Sequence, residues 1–313
     1  MHPVLRLLEQ RKSAGSQPGR RGDGGKLALV VEGGGMRGVV SSAMTAALER
    51  AGLTGCFDLV VGCSAGALNA AALLANVAEA CMDEYSGAFA GRRFINPFKL
   101  LLGRPAVDVA YALDHANEHL DAARHTRVVT SPVPLHCVAT DVQTTEATDL
   151  TDLRTLGDLR AALLATTRLP WMGGPPVAFR GRRYLDGGLA EAIPLATALR
   201  LGATHALVLL TRPEGVRYPA TAGLLERILQ RKLSAVNPDL LEKHRQKSAL
   251  YDAEIDLVAR RERGVHVPHV LAVRPPRSAP VVSRFEKKIG VLRDAADASF
   301  RAAMETVVRP ITN

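Results

Sequence analysis

The chain has 313 residues, of which 47% are hydrophobic and 23% are charged, the balance of an ordinary globular protein. Its net charge of +9 suits an anionic partner, either nucleic acid or an anionic membrane surface. Only 4% of the residues are aromatic and no recognised nucleic-acid motif occurs, so nucleic acid is not expected as a partner.

The first 25 residues are expected to form a disordered basic tail. Residues 13–25 are rich in Gly, Ser, Pro and Arg, and the tail has no apolar run long enough for a signal peptide. No apolar segment of 18 residues occurs in the chain, so no transmembrane helix is predicted. We therefore expect a cytoplasmic protein, with at most a peripheral contact with a membrane.

From residue 26 onwards, short apolar strands alternate with helical segments. The predicted strands are 26–32, 57–61, 135–140, 146–150, 183–185, 205–210 and 269–273. The predicted helices are 36–51, 64–78, 107–120, 156–166, 194–201 and 284–307, and a proline-rich loop covers 170–176. Such alternation predicts a three-layer α/β/α fold whose central sheet is mostly parallel and is covered by helices on both faces.

The character of the chain changes near residue 214. Residues 26–213 are predicted to form the α/β core, and residues 214–313 a mainly helical C-terminal region with one strand, packed on that core. Four cysteines show neither a CxxC pair nor zinc-ligand spacing, which favours small buried side chains in a reducing compartment. They are Cys56, Cys63, Cys81 and Cys137.

The most informative segment is Gly62-Cys63-Ser64-Ala65-Gly66. This G-x-S-x-G sequence lies between an apolar strand and an Ala/Leu-rich helix, which places Ser64 on a sharp turn with its hydroxyl exposed. The N–H groups at the start of the helix offer partial positive charge where an oxyanion would form. Cys63 is not expected to be the nucleophile, because neighbouring side chains on such a turn point in different directions.

The first strand ends in a second glycine-rich sequence, Gly33-Gly34-Gly35-Met36-Arg37-Gly38. It fits a plain tight turn, or a dinucleotide fingerprint, which also needs an acidic residue at the end of the second strand. That strand ends in Gly-Cys-Ser instead. We favour an oxyanion hole, because consecutive glycines leave backbone N–H groups available and let a substrate carbonyl approach.

A candidate base follows a later strand, in Asp186-Gly187-Gly188. An activated serine needs a base within hydrogen-bond reach, and two glycines suit a carboxylate that enters a crowded site. An Asp-Gly pair is equally typical of a plain β-turn, so this segment alone leaves both interpretations open. Three such motifs at strand ends of one α/β chain favour the catalytic one.

In this order, the three motifs resemble the patatin-like phospholipase family. The resemblance spans about residues 26–211, with weaker matches at 138–141 and 168–170. It implies a Ser–Asp dyad without a histidine, in which Ser64 is the nucleophile, Asp186 is the base and the N–H groups of residues 33–38 form the oxyanion hole. It further implies a lipid or acyl-ester substrate and no metal or cofactor. Where family members often have Ser-x-Ala, this chain has Thr166-Thr167-Arg168.

Other functions fit parts of the pattern. An α/β-hydrolase triad would add a later histidine, His205 or His244, to the serine and the aspartate. A non-catalytic module that binds lipid or another partner would keep the fold alone. Arg37 would hold a phosphate head group or brace its loop, and the basic segments 260–263 and 287–288 would dock on anionic membranes or form a solvated surface. The oligomeric state is not predicted.

Overall fold

A computed structural model of the chain describes residues 1–116, 122–216 and 223–312. Within them, eight strands form one sheet. The strands are β1 (Leu27–Val31), β2 (Leu59–Cys63), β3 (Leu135–Asp141), β4 (Ala147–Leu150), β5 (Val177–Phe179), β6 (Arg182–Asp186), β7 (His205–Leu209) and β8 (His269–Val273).

The sheet is mostly parallel, as predicted. Its strand order is β5-β6-β3-β2-β1-β7-β8, and β4 pairs with β3 outside this path. Strands β3, β2, β1, β7 and β8 pair in parallel, whereas β4, β5 and β6 join in antiparallel pairs. Strands β1, β2 and β3 are buried along their whole length, which is why the sequence shows β1 and β2 as apolar runs.

Helices cover both faces of this sheet. They are α1 (Pro3–Ser13), α2 (Gly38–Arg50), α3 (Ala65–Ala75), α4 (Ala78–Glu84), α5 (Val109–Ala116), α6 (Ala122–Val129), α7 (Leu156–Thr166), α8 (Leu195–Arg200), α9 (Leu224–Val236), α10 (Pro238–Arg245), α11 (Lys247–Glu262), α12 (Ile289–Ala303) and α13 (Arg309–Thr312). In the described parts of the chain, none of them combines the length and the apolar character that crossing a membrane requires.

The three layers follow from the alternation of side chains along β1. Leu29 and Val31 point to one face and pack in the larger core, with side chains of α2, α3 and α12. Ala28 and Val30 point to the other face and pack in a second core, with side chains of α8 and α11. The predicted α/β/α architecture is therefore confirmed.

Residues 1–25 do not form the disordered tail that their composition predicts. Helix α1 buries Val4 and Leu8 completely. Arg11 is 1% exposed, and its guanidinium donates to the carboxylate of Asp58 at 2.8 Å. The expectation failed because composition does not register the spacing that places these side chains on one face of a short helix.

The C-terminal region adds both a strand and helices to the core. Strand β8 pairs with β7 in parallel, and α12 packs against α2. The predicted helix 284–307 corresponds to α12, which begins later, at Ile289, and ends at Ala303. A π-helical turn, Met304–Val308, follows α12. The predicted helix 107–120 corresponds to α5, and its residues 117–120 lie outside the described residues.

Candidate active site

Two strands that meet along one edge of β3 bring Ser64 and Asp186 together. Strand β2 runs parallel to β3, and its last paired residue, Cys63, lies opposite Val138. Strand β6 runs antiparallel to β3, and its last residue, Asp186, lies opposite Ala139. Because β4 occupies the other edge of β3 at both positions, β2 and β6 end head to head. Residues 122 positions apart in sequence thus become neighbours.

Ser64 lies on a strained turn between β2 and α3. Its backbone angles are φ 52° and ψ −128°, a conformation that costs a non-glycine residue about 1–3 kcal/mol. The Ser64 N–H donates to the hydroxyl oxygen of Thr166 at 2.9 Å, and that hydroxyl donates to the carbonyl of Val138 at 2.5 Å. Thr166 is the last residue of α7 and is completely buried, so α7 anchors the serine turn to β3 through this hydroxyl.

The two candidate catalytic side chains are in direct contact. The Ser64 hydroxyl donates to Oδ2 of Asp186 at 2.6 Å, and the N–H of Gly188 donates to Oδ1 at 2.8 Å. Burial raises the pKa of Asp186 above its usual value, while the hydrogen bond from Ser64, the charge of Arg284 and the Gly188 N–H act in the opposite direction. A buried carboxylate with a raised pKa is a stronger base than an exposed one, and it is aimed at the serine proton.

The glycines of the two turns allow close backbone approaches. A Cβ on Gly66 would contact the carbonyl oxygen of Val31 and would lie 2.6 Å from that of Glu32, so α3 can begin against the end of β1 only with glycine there. Gly62 lies within β2. Gly187 and Gly188 belong to the short 3₁₀ turn that follows Asp186.

The glycine loop, residues 33–38, lies beside the serine and leads into α2. Four of its N–H groups donate to protein carbonyls: those of Gly33, Met36, Arg37 and Gly38. No protein acceptor for the N–H groups of Gly34 and Gly35 is found among residues 1–116, 122–216 and 223–312. Gly33, Gly34 and Gly35 line one cleft with Ser64 and Asp186.

Residues 29–199, more than half of the chain, match the patatin-like phospholipase family. The chain belongs to this family. It is a family of lipid acyl hydrolases, and the match contains the glycine loop, Ser64 and Asp186.

Two further comparisons found similar proteins. The chain is 28% identical over 196 residues to the uncharacterised protein YjjU of Escherichia coli strain K12, a match that covers 62% of this chain. The chain spans about half, 54%, of the length of that curated relative. In structure it is similar to VipD from Legionella pneumophila, with a TM-score of 0.39 and 12% identity, over 90% of this chain and 67% of the other.

The cleft also contains residues for which the sequence predicted no role. Leu169 and Ala192 line it from within the patatin-like match, and Arg284 lines it from the C-terminal region. The carbonyl of Arg284 accepts the N–H of Met36 at 3.0 Å, so this region holds the glycine loop as well. No local pattern around residue 284 marks it as a cleft residue, whereas Thr166 stood in a segment already noted as unusual for the family.

Arg37 lies on the inner side of the glycine loop. Its side chain lines the cleft and is 7% exposed. A Cβ on Gly34 would lie 2.9 Å from the Cβ of Arg37, which shows how closely the arginine packs on the loop. The position is compatible with bracing the loop and with facing a substrate.

Neither candidate histidine contacts the serine or the aspartate. His205 begins β7, at the opposite end of the parallel strands, and its Nδ1 lies 2.9 Å from the hydroxyl of Thr204. His244 pairs with Glu226 at 2.7 Å on the outer helices. The geometry of a Ser-Asp-His triad is therefore absent from the described residues.

All four cysteines are buried and none forms a disulfide. Burial raises the pKa of the Cys63 thiol far above its usual value, and the nearby Asp186 raises it further. A thiol that stays protonated is a poor nucleophile, which agrees with the choice of Ser64 over its neighbour.

A second concavity, which we call the apolar groove, borders the cleft. It is lined by Leu100, Gly103, Arg104 and Pro105, by residues of the loop 170–176, by Leu185 and by the end of α9. The loop connects the two spaces, because Leu169 lines the cleft and the next residues, Pro170 and Trp171, line the groove.

Proposed function

We propose that this protein is a serine hydrolase that cleaves carboxylic ester bonds of phospholipids, lysophospholipids or related acyl esters. The observation that carries the proposal is the 2.6 Å hydrogen bond from the Ser64 hydroxyl to the buried Asp186 carboxylate, beside a glycine loop. Membership in the patatin-like phospholipase family supports a lipid ester as the substrate.

In the proposed reaction, Asp186 accepts the proton of Ser64 while the serine oxygen attacks the ester carbonyl carbon. The tetrahedral intermediate collapses to an acyl-enzyme, and the alcohol leaves with the proton returned by Asp186. Water then attacks the acyl-enzyme with the same carboxylate as base, which releases the fatty acid and restores the serine. The pair acts without a histidine, since the carboxylate contacts the hydroxyl directly.

The oxyanion would be stabilised by backbone N–H groups. Those of Gly34 and Gly35 are the best candidates in the glycine loop, since its other N–H groups already donate to carbonyls. The N–H of Ala65, the first residue of α3, adds a donor from the residue after the nucleophile. One such donor typically contributes about 3 kcal/mol to transition-state stabilisation.

The apolar groove supports a substrate with a long acyl chain. Its lining includes Pro170, Trp171 and Leu233, with the basic side chains of Arg104 and Lys232 beside them. An apolar lining next to positive charge suits the acyl chain of an anionic amphiphile. The basic segments 260–263 and 287–288 would further help the protein to dock on an anionic membrane.

The test of the dyad is labelling with a fluorophosphonate probe, together with hydrolysis of p-nitrophenyl butyrate. We expect wild type to be labelled and active, Ser64→Ala to be neither, and Asp186→Asn to lose nearly all activity. The matched controls, His205→Ala and His244→Ala, should keep most of it. Loss of activity in a histidine variant with retention in Asp186→Asn would favour a triad, and absence of labelling in wild type would favour a non-catalytic lipid-binding module.

A further inference from the structure

Helix α11 lies outside the patatin-like match, yet two of its side chains form hydrogen bonds with residues around the cleft. Tyr251 and Glu254 are three residues apart, so they project from the same side of the helix. Tyr251 donates its hydroxyl to Oε1 of Glu32 at 3.0 Å. Glu254 accepts the N–H groups of Ala192 and Ile193, both at 3.0 Å.

The contact of Glu254 is relayed to the glycine loop through one peptide unit. The C=O of Ala192 and the N–H of Ile193 belong to the same planar trans peptide, so they point in opposite directions. Glu254 holds the N–H side of this unit, and the C=O side accepts the N–H of Gly33 at 3.3 Å. Because the peptide between Ala192 and Ile193 is held on both sides, it holds the N–H of Gly33 at the start of the glycine loop in place.

The contact of Tyr251 is relayed through the carboxylate of Glu32. Glu32 is 1% exposed, and its Oε2 accepts the N–H of Thr211 at 2.5 Å. The Thr211 hydroxyl reaches the carbonyl of Gly33 at 3.5 Å. That carbonyl shares its peptide plane with the N–H of Gly34, so a donor on the carbonyl side directs this N–H to the other side.

We propose that Tyr251 and Glu254 are positioning residues for the oxyanion hole: by holding the N–H and the C=O of Gly33, α11 orients the backbone N–H of Gly34 toward the carbonyl that Ser64 attacks. This inference rests on the proposed esterase function. Positioning of this kind acts on the transition state, because the oxyanion forms only after attack. The orientation of this N–H therefore contributes little to substrate binding in the ground state.

Glutamine is the conservative replacement for Glu254. Burial raises the pKa of this carboxyl to about 8, while the two N–H groups that it accepts act in the opposite direction. Glutamine has a similar size and keeps one acceptor oxygen, whereas alanine removes both acceptors. Asp256 is exposed on the same helix, so Asp256→Asn is the matched control.

The experiment measures kcat and KM for p-nitrophenyl butyrate, the rate of fluorophosphonate labelling and thermal stability for Glu254→Ala, Glu254→Gln, Tyr251→Phe and Asp256→Asn. For Glu254→Ala we expect kcat and the labelling rate to fall by about tenfold to a hundredfold, with KM within twofold of wild type. Glu254→Gln can accept only one of the two N–H groups and should recover part of this loss, Tyr251→Phe should lower kcat by at least threefold, and Asp256→Asn should match wild type.

Two results overturn the inference. One is a folded Glu254→Ala with the kcat of wild type, which leaves the esterase function intact. The other is a loss of kcat that is fully explained by a smaller fraction of folded protein, together with no higher kcat in Glu254→Gln than in Glu254→Ala. Both are expected if Glu254 has a purely structural role. If Glu254→Ala does not fold, kcat of the folded Glu254→Gln and Tyr251→Phe variants decides instead, and wild-type kcat in both overturns the inference. A wild-type protein without labelling at Ser64 would instead refute the proposed function itself.

Discussion

The replacement Thr166→Val tests how the serine turn is held. The Thr166 hydroxyl accepts the N–H of Ser64 at 2.9 Å and donates to the carbonyl of Val138 at 2.5 Å, in a completely buried position. Valine has almost the same shape and leaves no cavity, but it can make neither hydrogen bond. Both backbone groups then lose this partner away from water.

The magnitude follows from these two groups. Leaving one buried polar group without its partner costs about 1–3 kcal/mol, so for the two groups together we expect Thr166→Val to lower the free energy of unfolding by about 2–6 kcal/mol. The Ser64 N–H belongs to the residue that holds the strained φ of 52°. With this bond lost, the turn can relax, and we expect kcat to fall by at least about tenfold, which is about 1.4 kcal/mol in the activation free energy.

Urea unfolding and ester hydrolysis measure the two effects. Thr167→Val is the matched control, since its hydroxyl donates to carbonyls one helical turn earlier, that of Leu163 at 2.6 Å and that of Leu164 at 3.3 Å, and not to the serine turn. It should change the free energy of unfolding and kcat little, and Thr166→Ser should restore both. Equal stability and equal kcat for the Val variants at 166 and 167 would refute the reasoning.

Three further predictions concern the base, the groove and the membrane. Burial raises the pKa of Asp186 in the folded protein, so its ionisation destabilises the fold as pH rises through that pKa. Asp186→Asn should therefore be inactive but more stable than wild type at pH 7, with the difference vanishing below about pH 4; lower stability at pH 7 would contradict this. Trp171→Ala should reduce kcat/KM for long-chain esters at least threefold more than for butyrate esters, and an equal reduction for both would exclude the groove as the acyl site. Co-sedimentation with vesicles should rise with anionic lipid and fall with salt, with neutral vesicles as the control; binding indifferent to both would rule out docking by residues 260–263 and 287–288.

Much of the candidate site could be predicted because its signals are local. A serine between two glycines, after an apolar strand and before a helix, predicts the turn from backbone sterics alone, and the structure has that turn at Ser64. The buried parallel strands could be predicted from continuous apolar runs. Helix α1 was not predicted, because the composition of residues 1–25 is dominated by the Gly, Ser and Arg of its second half, whereas the short amphipathic pattern lies in the first half.

Contacts between distant segments could not be predicted in this way. Arg284 lines the cleft and Glu254 caps the backbone beside it, but both lie in a region without a motif. The glycine loop was expected to offer the N–H groups of residues 33–38. Four of these N–H groups already donate to carbonyls in the folded protein. The sequence could not predict this, because the carbonyls belong to distant parts of the chain or to the turn itself.

By itself, the sequence determined the class of fold, most of its strands and the identity of the candidate nucleophile and base, since periodicity and glycine sterics act over a few residues. The tertiary structure alone decided that β2 and β6 end head to head on one edge of β3. It also decided that a C-terminal helix braces the backbone around the cleft. The physical reason is that strand register and helix docking depend on the packing of the whole core, and no local pattern encodes that packing.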